Sequence, residues 1–246
     1  MASPDWASID RENQRRYRPA TTRARVAMIG VAVATGAIVL ELVQILRGLS
    51  FADRFGSVTL AEYSVWERNL NTSAGIYIVA IVAAAIAFFA WLSRVVDNIP
   101  ALTGEDPWVT PRWSIALWFV PIASFVAPYR IVADAWRRLA AHPGQRATAI
   151  IVAWWILWLG GGIVARLLDA TTRPAETPAE LRTYLTRLIA AGGAQVVAGV
   201  LLILIIREIE RRSRVRAAAN DAAAVTAASA TIAVPVAELP DVPSVG

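Results

Sequence analysis

A few polar side chains interrupt the apolar parts of this sequence, and they are its first candidates for chemistry. Glu41 and Gln195 each lie inside a long apolar run. A carboxylate in such a run is costly to bury and therefore marks a candidate proton or ion site. An amide on a neighbouring helix is a suitable hydrogen-bond partner for it. Glu41 and Gln195 are thus candidate intramembrane polar residues, serving either transport or a structural pairing.

A second group of candidates lies in the middle of the chain. Arg94 and Asn98 stand at i and i+4, which places them on one face of a helix. Arg94 is placed either to donate to backbone carbonyls that Pro121 leaves without a donor or to reach lipid phosphates as an anchor. Asn98 is a candidate cap for the chain before Pro100. The whole group of candidate functional, lipid-contact or partner-contact residues is Arg94, Asn98, Trp118, Pro121, Pro128, Tyr129 and Arg130.

Tryptophans are frequent around this middle segment. Aromatic rings of this kind are typical of a belt at the membrane interface, and a stacking pocket for a lipid or an aromatic ligand is the alternative. The residues concerned are Trp91, Trp108, Trp113, Trp118 and Trp136.

Other kinds of site lack the residues they need. The sequence contains no cysteine and a single histidine, His142, whereas zinc sites draw on several such ligands. It has no recognisable nucleophile and base set. We therefore predict no catalytic residues, no metal, no cofactor and no enzymatic activity. The net charge of +5 comes from arginines that a membrane protein places in the cytoplasm, so no nucleic-acid partner is expected.

The candidates must be positioned by apolar helices. Hydrophobic residues make up 57% of the chain and the mean hydropathy is +0.50, with the apolar residues gathered into long runs. Residues 1–25 are basic, and residues 217–246 are Ala-, Val- and Pro-rich, which predicts a disordered cytoplasmic tail. Residues 47–72 read as a mixed-charge loop with a short interfacial helix over 60–70. The apolar runs occupy residues 26–46, 73–92, 113–127, 147–167 and 186–206.

The middle run differs from the others because it is short and Pro121 interrupts it. If it does not span, the basic N-terminus, residues 94–146 and the basic stretch after 206 all face the cytoplasm, as the positive-inside rule favours. We therefore predict an all-α membrane protein in the plasma membrane of a bacterium. It has four transmembrane helices (26–46, 73–92, 147–167 and 186–206) and both termini in the cytoplasm. Residues 112–128 form a re-entrant or interfacial helical segment on the cytoplasmic side, and residues 129–140 form an amphipathic interfacial helix.

The central motif also resembles a known family. It comprises Trp91, Arg94 and Asn98, then 118–122, then Pro128 with Tyr129, the pair Trp154 and Trp155, and the basic stretch 207–212. These residues resemble a bacterial multi-pass membrane family, common in actinobacteria, that is known as a domain of unknown function of the DUF4328 type. Leu117 departs from the pattern, which often has a second tryptophan there. The resemblance covers about residues 26–216 and implies an architecture without implying an activity or a cofactor.

Two functions are compatible with these patterns. The first is a non-enzymatic scaffold, sensor or partner subunit in the lipid bilayer. Its Arg- and Trp-rich cytoplasmic interface would bind anionic lipid headgroups, a membrane-protein partner or a second copy of the chain. The alternative is a small transporter or channel in which the Pro121 segment is the gate.

Overall fold

The computed structural model describes residues 17–54, 56–140, 149–171 and 177–232, and these parts contain helices and irregular segments but no strand. The prediction of an all-α chain is therefore confirmed in the part described. A short 3-10 helix at Ala123–Phe125 lies between α3 and α4. The α-helices are α1 (Thr21–Asp53), α2 (Leu60–Thr103), α3 (Trp113–Ala116), α4 (Ala127–Arg138), α5 (Ala149–Thr171) and α6 (Pro178–Ile232).

Three of these helices are long and apolar enough to cross a membrane: α1, α2 and the Pro178–Thr226 part of α6. They contain the predicted runs 26–46, 73–92 and 186–206, so the chain has the character of a membrane protein. The fourth predicted run corresponds to α5, whose segment Ala149–Ala165 is apolar but shorter than the other three.

The predicted loop over residues 47–72 is wrong. Residues 47–53 continue α1, and residues 60–70 are the first turns of α2 and not a separate interfacial helix. The side chain of Thr59 accepts the amide of Glu62 while the Glu62 carboxylate accepts the amide of Thr59, a capping box that starts α2 at Leu60. Nothing between residues 70 and 73 breaks the helix.

The predicted disordered tail is also wrong over its first half, because α6 continues to Ile232. Residues 217–232 are rich in alanine, which is the best helix former. Their low content of charged residues suggests disorder, but it does not prevent an alanine-rich segment from forming a helix. In addition, Asn220 donates to the carbonyl oxygen of Leu102 at the end of α2 (3.2 Å), which fixes this part of α6 to the body. Residues 233–246 lie outside the described part.

The long helices are arranged side by side in the order α5, α6, α1, α2. Helix α1 packs along both α2 and α6, and α5 packs along α6, whereas α2 and α5 hardly approach each other in the described residues. We call the end that holds the N-terminus of α1 and all of α4 the proximal end. The end with the turn between α1 and α2 is the distal end.

The main hydrophobic core lies in the proximal half. It contains the start of α1, the second half of α2, all of α4, the start of α5 and the middle of α6. Here α4 and the segment before it fill the space between α2 and α5, and large side chains such as Trp91, Trp154 and Ile205 are fully buried. In the distal half no element of the described ranges takes that place.

Close packing of α1 against α6 depends on Gly199. A Cβ atom added there would overlap Oγ1 of Thr35 on α1, so a larger side chain must push the helices apart. We expect Gly199→Val to lower the free energy of unfolding by about 1–3 kcal/mol. Gly193→Val on the same helix is the control, because its Cβ meets no described atom within 4 Å. Thermal unfolding in detergent measures both, and equal losses would contradict the close approach.

Candidate functional site

A large cavity occupies the distal half of the bundle. Its volume is about 1290 Å³, and α1, α2, α5 and α6 all contribute to its walls. Most of the lining is aliphatic or aromatic, for example Ile38, Leu70, Leu159 and Leu188. The cavity exists because α2 and α5 stay apart while α1 and α6 close the opposite side. We call it the distal cavity.

Aromatic rings form the floor of the distal cavity. The ring of Trp118 lies edge-on between Phe89 of α2, at 5.3 Å between centroids, and Trp158 of α5, at 5.9 Å. Phe88 and Trp155 contact the same ring at 5.5 and 6.2 Å. Aromatic pairs at these distances and angles are favourable. Trp118 is thus the side chain that joins α2 to α5 where the helices themselves do not meet.

Two further hydrogen bonds fix the segment that carries Trp118. The indole N–H of Trp155 donates to the carbonyl oxygen of Phe125 (3.1 Å), and Ser124 Oγ donates to the carbonyl oxygen of Pro121 (2.7 Å). Residues 112–126 contain α3, turns and the 3-10 helix, and residues 127–128 begin α4, so no helix within 112–128 has the length to span. Phe125 and Ser124 complete the floor beside Trp118.

The two predicted intramembrane polar residues line this same cavity. Glu41 contributes from α1 and Gln195 from α6. The amide of Gln195 donates to the backbone carbonyl of Trp158 (3.1 Å), so its recorded partner is α5. A Cβ at Gly161 would lie 3.0 Å from the carbonyl oxygen of Ala191, which shows how closely α5 and α6 approach at this bond.

Asn98 is buried and joins the N-terminal segment to α2. Its Oδ1 accepts the amide of Arg18 (3.1 Å) and its Nδ2 donates to the carbonyl oxygen of Arg18 (2.8 Å). It does not cap the chain before Pro100, because α2 continues through that proline to Thr103. Pro100 has no amide hydrogen, so one carbonyl oxygen of α2 lacks its usual backbone donor. The helix continues nevertheless, because the residues on both sides of the proline are packed in the core.

Arg94 contacts Asp97 on its own helix (3.2 Å) and not the carbonyls around Pro121. The sequence correctly placed Arg94 and Asn98 in one helix end, but the structure gives them separate partners. Neither side chain lines the distal cavity.

We expect Asn98→Asp to destabilise the protein more than Asn98→Ser. A carboxylate replaces a donor with a charge facing the Arg18 carbonyl, at a cost of about 2–4 kcal/mol for a buried group. Serine is smaller and stays neutral. Chemical unfolding in mild detergent compares the two variants, and equal unfolding midpoints would contradict a stabilising role for the hydrogen bonds between Asn98 and Arg18.

The remaining candidates belong to α4. Pro128 lies in its first turn and is buried, and Tyr129 is half-buried against the core. The guanidinium of Arg130 lies over the ring of Trp108, 4.3 Å from its centroid. Since the side chain of Trp108 remains 39% exposed, this pair is at the surface of the proximal end.

The predicted helix over 129–140 is observed as α4, but it is not a surface helix. Ile131, Val132 and Ala135 are buried, and so is Asp134. The Asp134 carboxylate accepts the amide of Trp108 (3.0 Å) and both oxygens accept Nε of Arg138. The helix is therefore a part of the core.

The interfacial aromatic belt is likewise wrong for Trp91 and Trp136, which are 0% and 5% exposed. Their rings fill the core, and Trp118 belongs to the cavity floor. Trp113, at 55% exposure, keeps the exposed position that a belt requires.

Sequence reasoning missed the importance of Arg216. Its Nε donates to the carbonyl oxygen of Leu102 (3.2 Å), and its Nη1 to those of Arg138 (3.2 Å) and Ala140 (2.8 Å). It thereby supplies donors to carbonyls at or just beyond the ends of α2 and α4. We call this set of bonds the Arg216 clamp. The available signal was the spacing of Arg212, Arg216 and Asn220 on one face of a continuing helix.

Arg212 supports the clamp one turn earlier. Its guanidinium lies over the ring of Trp136, 4.1 Å from the centroid, and donates to the carbonyl oxygen of the same residue (2.8 Å). Its Nε also donates to Glu208 (2.8 Å). The arginines that looked like a loose basic stretch thus hold α6 to α4.

A buried carboxylate lies beside the start of α1. Thr21 Oγ1 donates to Oε1 of Glu210 (2.6 Å), while Oε2 is buried with no partner among the described residues. Burial raises the pKa of the Tyr17 phenol, and the Glu210 carboxylate raises it further while Arg214 opposes this. The cluster ties α1 to α6 at the proximal end.

Within the described ranges, no three His, Asp or Glu side chains lie together as ligands of a metal ion would. A family model for a domain of unknown function, DUF4328, matches residues 57–211. The chain belongs to this family. The resemblance drawn from the central motif is therefore confirmed. Neither a curated protein nor a solved structure matches the chain.

The DUF4328 match begins in the turn before α2 and ends within α6. It includes the cavity floor and the walls supplied by α2, α5 and α6, but not α1. In this DUF4328 protein, the helix that precedes the matched region supplies the remaining wall, including Glu41.

Proposed function

We propose that this DUF4328 protein is a non-enzymatic sensor or partner subunit that binds a hydrophobic or amphipathic molecule in the distal cavity. The observation that carries the proposal is the cavity itself, walled by four helices and closed by the Trp118 floor. Pockets for drug-sized ligands measure ~300–1,000 Å³, and this one is larger. Few of the described residues that line it are polar, and these include no arrangement of nucleophile and base.

The proposal places the protein in the bacterial plasma membrane with four spans and both termini in the cytoplasm. Helix α5 supports the fourth span, because its 23 residues reach about 35 Å at ~1.5 Å per residue. Its apolar part Ala149–Ala165 lies at the lower limit of about 17 residues for a membrane-spanning helix. The proximal end is assigned to the cytoplasm, since the arginines of residues 94–138 and 207–216 gather there.

The absence of cysteine in the sequence makes this topology easy to test. We expect Ser57→Cys, in the distal turn, to react with a membrane-impermeant maleimide on intact cells. Thr110→Cys, exposed at the proximal end, should react only after the membrane is permeabilised. Labelling of Thr110→Cys on intact cells, or protection of Ser57→Cys from the reagent, would contradict the proposed orientation.

Ligand binding is tested by filling the cavity. We expect the wild-type protein, purified in mild detergent, to retain a non-covalent adduct in native mass spectrometry. Ala74→Trp should lose it, because Ala74 lines the cavity. Ala83→Trp is the matched control, since Ala83 is an exposed residue on the same helix. A wild-type protein without any adduct, or an adduct unaffected by Ala74→Trp, would count against a ligand-binding cavity.

Anionic lipid binding at the proximal end is a secondary part of the proposal. Arg94, Arg138, Arg212 and Arg216 already contact groups within the protein. Arg130 is exposed over Trp108 and is the best placed of the sequence-based candidates to reach a headgroup phosphate.

A small transporter with the Pro121 segment as its gate remains the second candidate. It is favoured by the irregular backbone of residues 117–126 at the cavity floor, which is typical of transporter binding sites. Alternating access would require Trp118 to leave its contacts with both α2 and α5. Flux of the bound molecule through reconstituted vesicles would favour this function over the sensor.

A further inference from the structure

We infer that the occupant of the distal cavity is a lipid of the surrounding bilayer, which enters sideways between α2 and α5. Its alkyl chain would rest on the Trp118 floor with its polar group toward the distal end. This inference rests on the proposed ligand-binding function and adds the class of ligand, its route and its orientation.

The route follows from the packing of the helices. Helices α2 and α5 hardly approach each other, and the side chains that bridge them belong to the floor at the proximal side of the cavity. On the distal side of that floor, the described parts of α2 and α5 leave the cavity open between them. Ile163 of α5 lines the cavity and is 39% exposed, and Ile78, one turn after the lining residue Ala74 on α2, is 60% exposed. An opening between apolar helix faces leads to hydrocarbon and not to water.

The orientation follows from the lining. At the deep end the surface is aromatic and aliphatic, with Trp118, Phe125 and Ile81. The polar groups there are already bonded within the protein, Ser124 to Pro121 and Gln195 to Trp158. An alkyl chain therefore leaves both of these hydrogen bonds intact. The buried indole N–H of Trp118 has no hydrogen-bond partner among the described residues, and an alkyl chain does not change that.

The distal end of the cavity is different. Tyr63, Asn71 and Tyr184 contribute polar atoms there, and Tyr63 and Asn71 belong to the exposed first turns of α2. Tyr63 and Asn71 precede the predicted span that begins at residue 73, and Tyr184 precedes the one that begins at residue 186. All three are therefore placed at the level where lipid headgroups are found. A molecule with one polar end and one long apolar end fits this gradient in one direction only.

The energetic reason for binding is packing. Leaving the bilayer brings an alkyl chain no hydrophobic gain, because lipid tails are as apolar as the cavity wall. The gain comes from close contact with fixed side chains on several sides, which a fluid bilayer does not offer. An empty cavity would forfeit those contacts, so occupation by a chain stabilises the bundle as well.

The test uses a fluorescent bimane on Ser124→Cys at the floor, in vesicles that contain nitroxide-labelled phosphatidylcholine. We expect a nitroxide near the chain terminus to quench the bimane several-fold more than one near the glycerol. Ala74→Trp should remove most of this quenching, and Gly162→Leu, which fills the cavity from α5, should do the same. Bimane on Ile122→Cys is the control, because that side chain is 87% exposed on the same segment and should be quenched in every background.

Stronger quenching by the label near the glycerol would overturn the orientation. Quenching by aqueous iodide in preference to lipid nitroxide would overturn the lipid as occupant. If the cavity-filling variants leave lipid quenching unchanged, the inference is also wrong. In each of these cases, an adduct that persists in native mass spectrometry and is lost in Ala74→Trp keeps the proposed function, whereas its absence removes both.

Discussion

Trp118→Ala should be among the most damaging single substitutions in this protein, with a loss of about 3–5 kcal/mol in the free energy of unfolding. Its ring contacts Phe88 and Phe89 on one side and Trp155 and Trp158 on the other. Removal leaves a void between α2 and α5 that neither helix can fill, because each is held to a different neighbour. Unfolding in a mixed detergent series measures the loss.

Trp113→Ala provides the control for Trp118→Ala. Trp113 lies on the same segment but its side chain is 55% exposed, so the expected loss is below about 1 kcal/mol. Trp118→Phe should fall between the two, since it keeps an aromatic ring of smaller area. If Trp113→Ala and Trp118→Ala cost the same, Trp118 does not join α2 to α5.

Arg216→Ala is the second substitution with a large expected effect, about 2–4 kcal/mol. It removes the donors of the Arg216 clamp from the carbonyl oxygens of Leu102, Arg138 and Ala140 at once. A hydrogen bond from a charged donor contributes a net free energy of about 1.5–3 kcal/mol, and the contributions of bonds made by one side chain do not simply add. Thermal unfolding measures the loss. Limited trypsin digestion adds a local measure, because cleavage after Arg214 should accelerate when this part of α6 is released.

Arg216→Lys and Arg207→Ala separate geometry from charge. Lysine keeps the positive charge but lacks the planar fork that donates in two directions, so it should recover only part of the loss. Arg207 is exposed on the same helix, and its removal should change stability by less than about 0.5 kcal/mol. Full recovery of stability in Arg216→Lys would show that the positive charge, and not the geometry of the guanidinium donors, stabilises this part of α6.

Hydropathy predicted most of the architecture. The apolar runs gave the long helices, and Pro121 with the short run around it correctly indicated that residues 112–128 do not form a spanning helix. These properties are local, since each depends on the residues of one segment and on the thickness of a bilayer. The family motif around Trp118 is also a local property of the sequence, and it indicated a segment that the structure places at the cavity floor.

Contacts between distant segments were beyond the reach of that reasoning. Residues 217–232 have a composition that is compatible with disorder, and the Arg216 clamp that holds the adjoining part of α6 involves carbonyls more than 70 residues away. Trp91 looks the same in sequence whether it faces lipid or a core. The distal cavity arises because α2 and α5 hardly approach each other in the described residues, and no sequence pattern within either helix indicates this separation.

Helix α6 has 55 residues and is therefore about 80 Å long, with the Arg216 clamp between a distal part that walls the cavity and a proximal part that extends beyond the body. Helix α6 also packs along α1 and α5, so it can tilt as a lever only if those contacts shift while the Arg216 clamp holds. If the clamp is the pivot, a tilt of about 5° that moves the cavity wall near Leu188 by roughly 3–4 Å swings Ile232 by about 2 Å the other way. If the proposed ligand moves the cavity wall, such a tilt would carry the displacement to the other end of α6, and the ratio of these displacements is set by where along α6 the arginine stands.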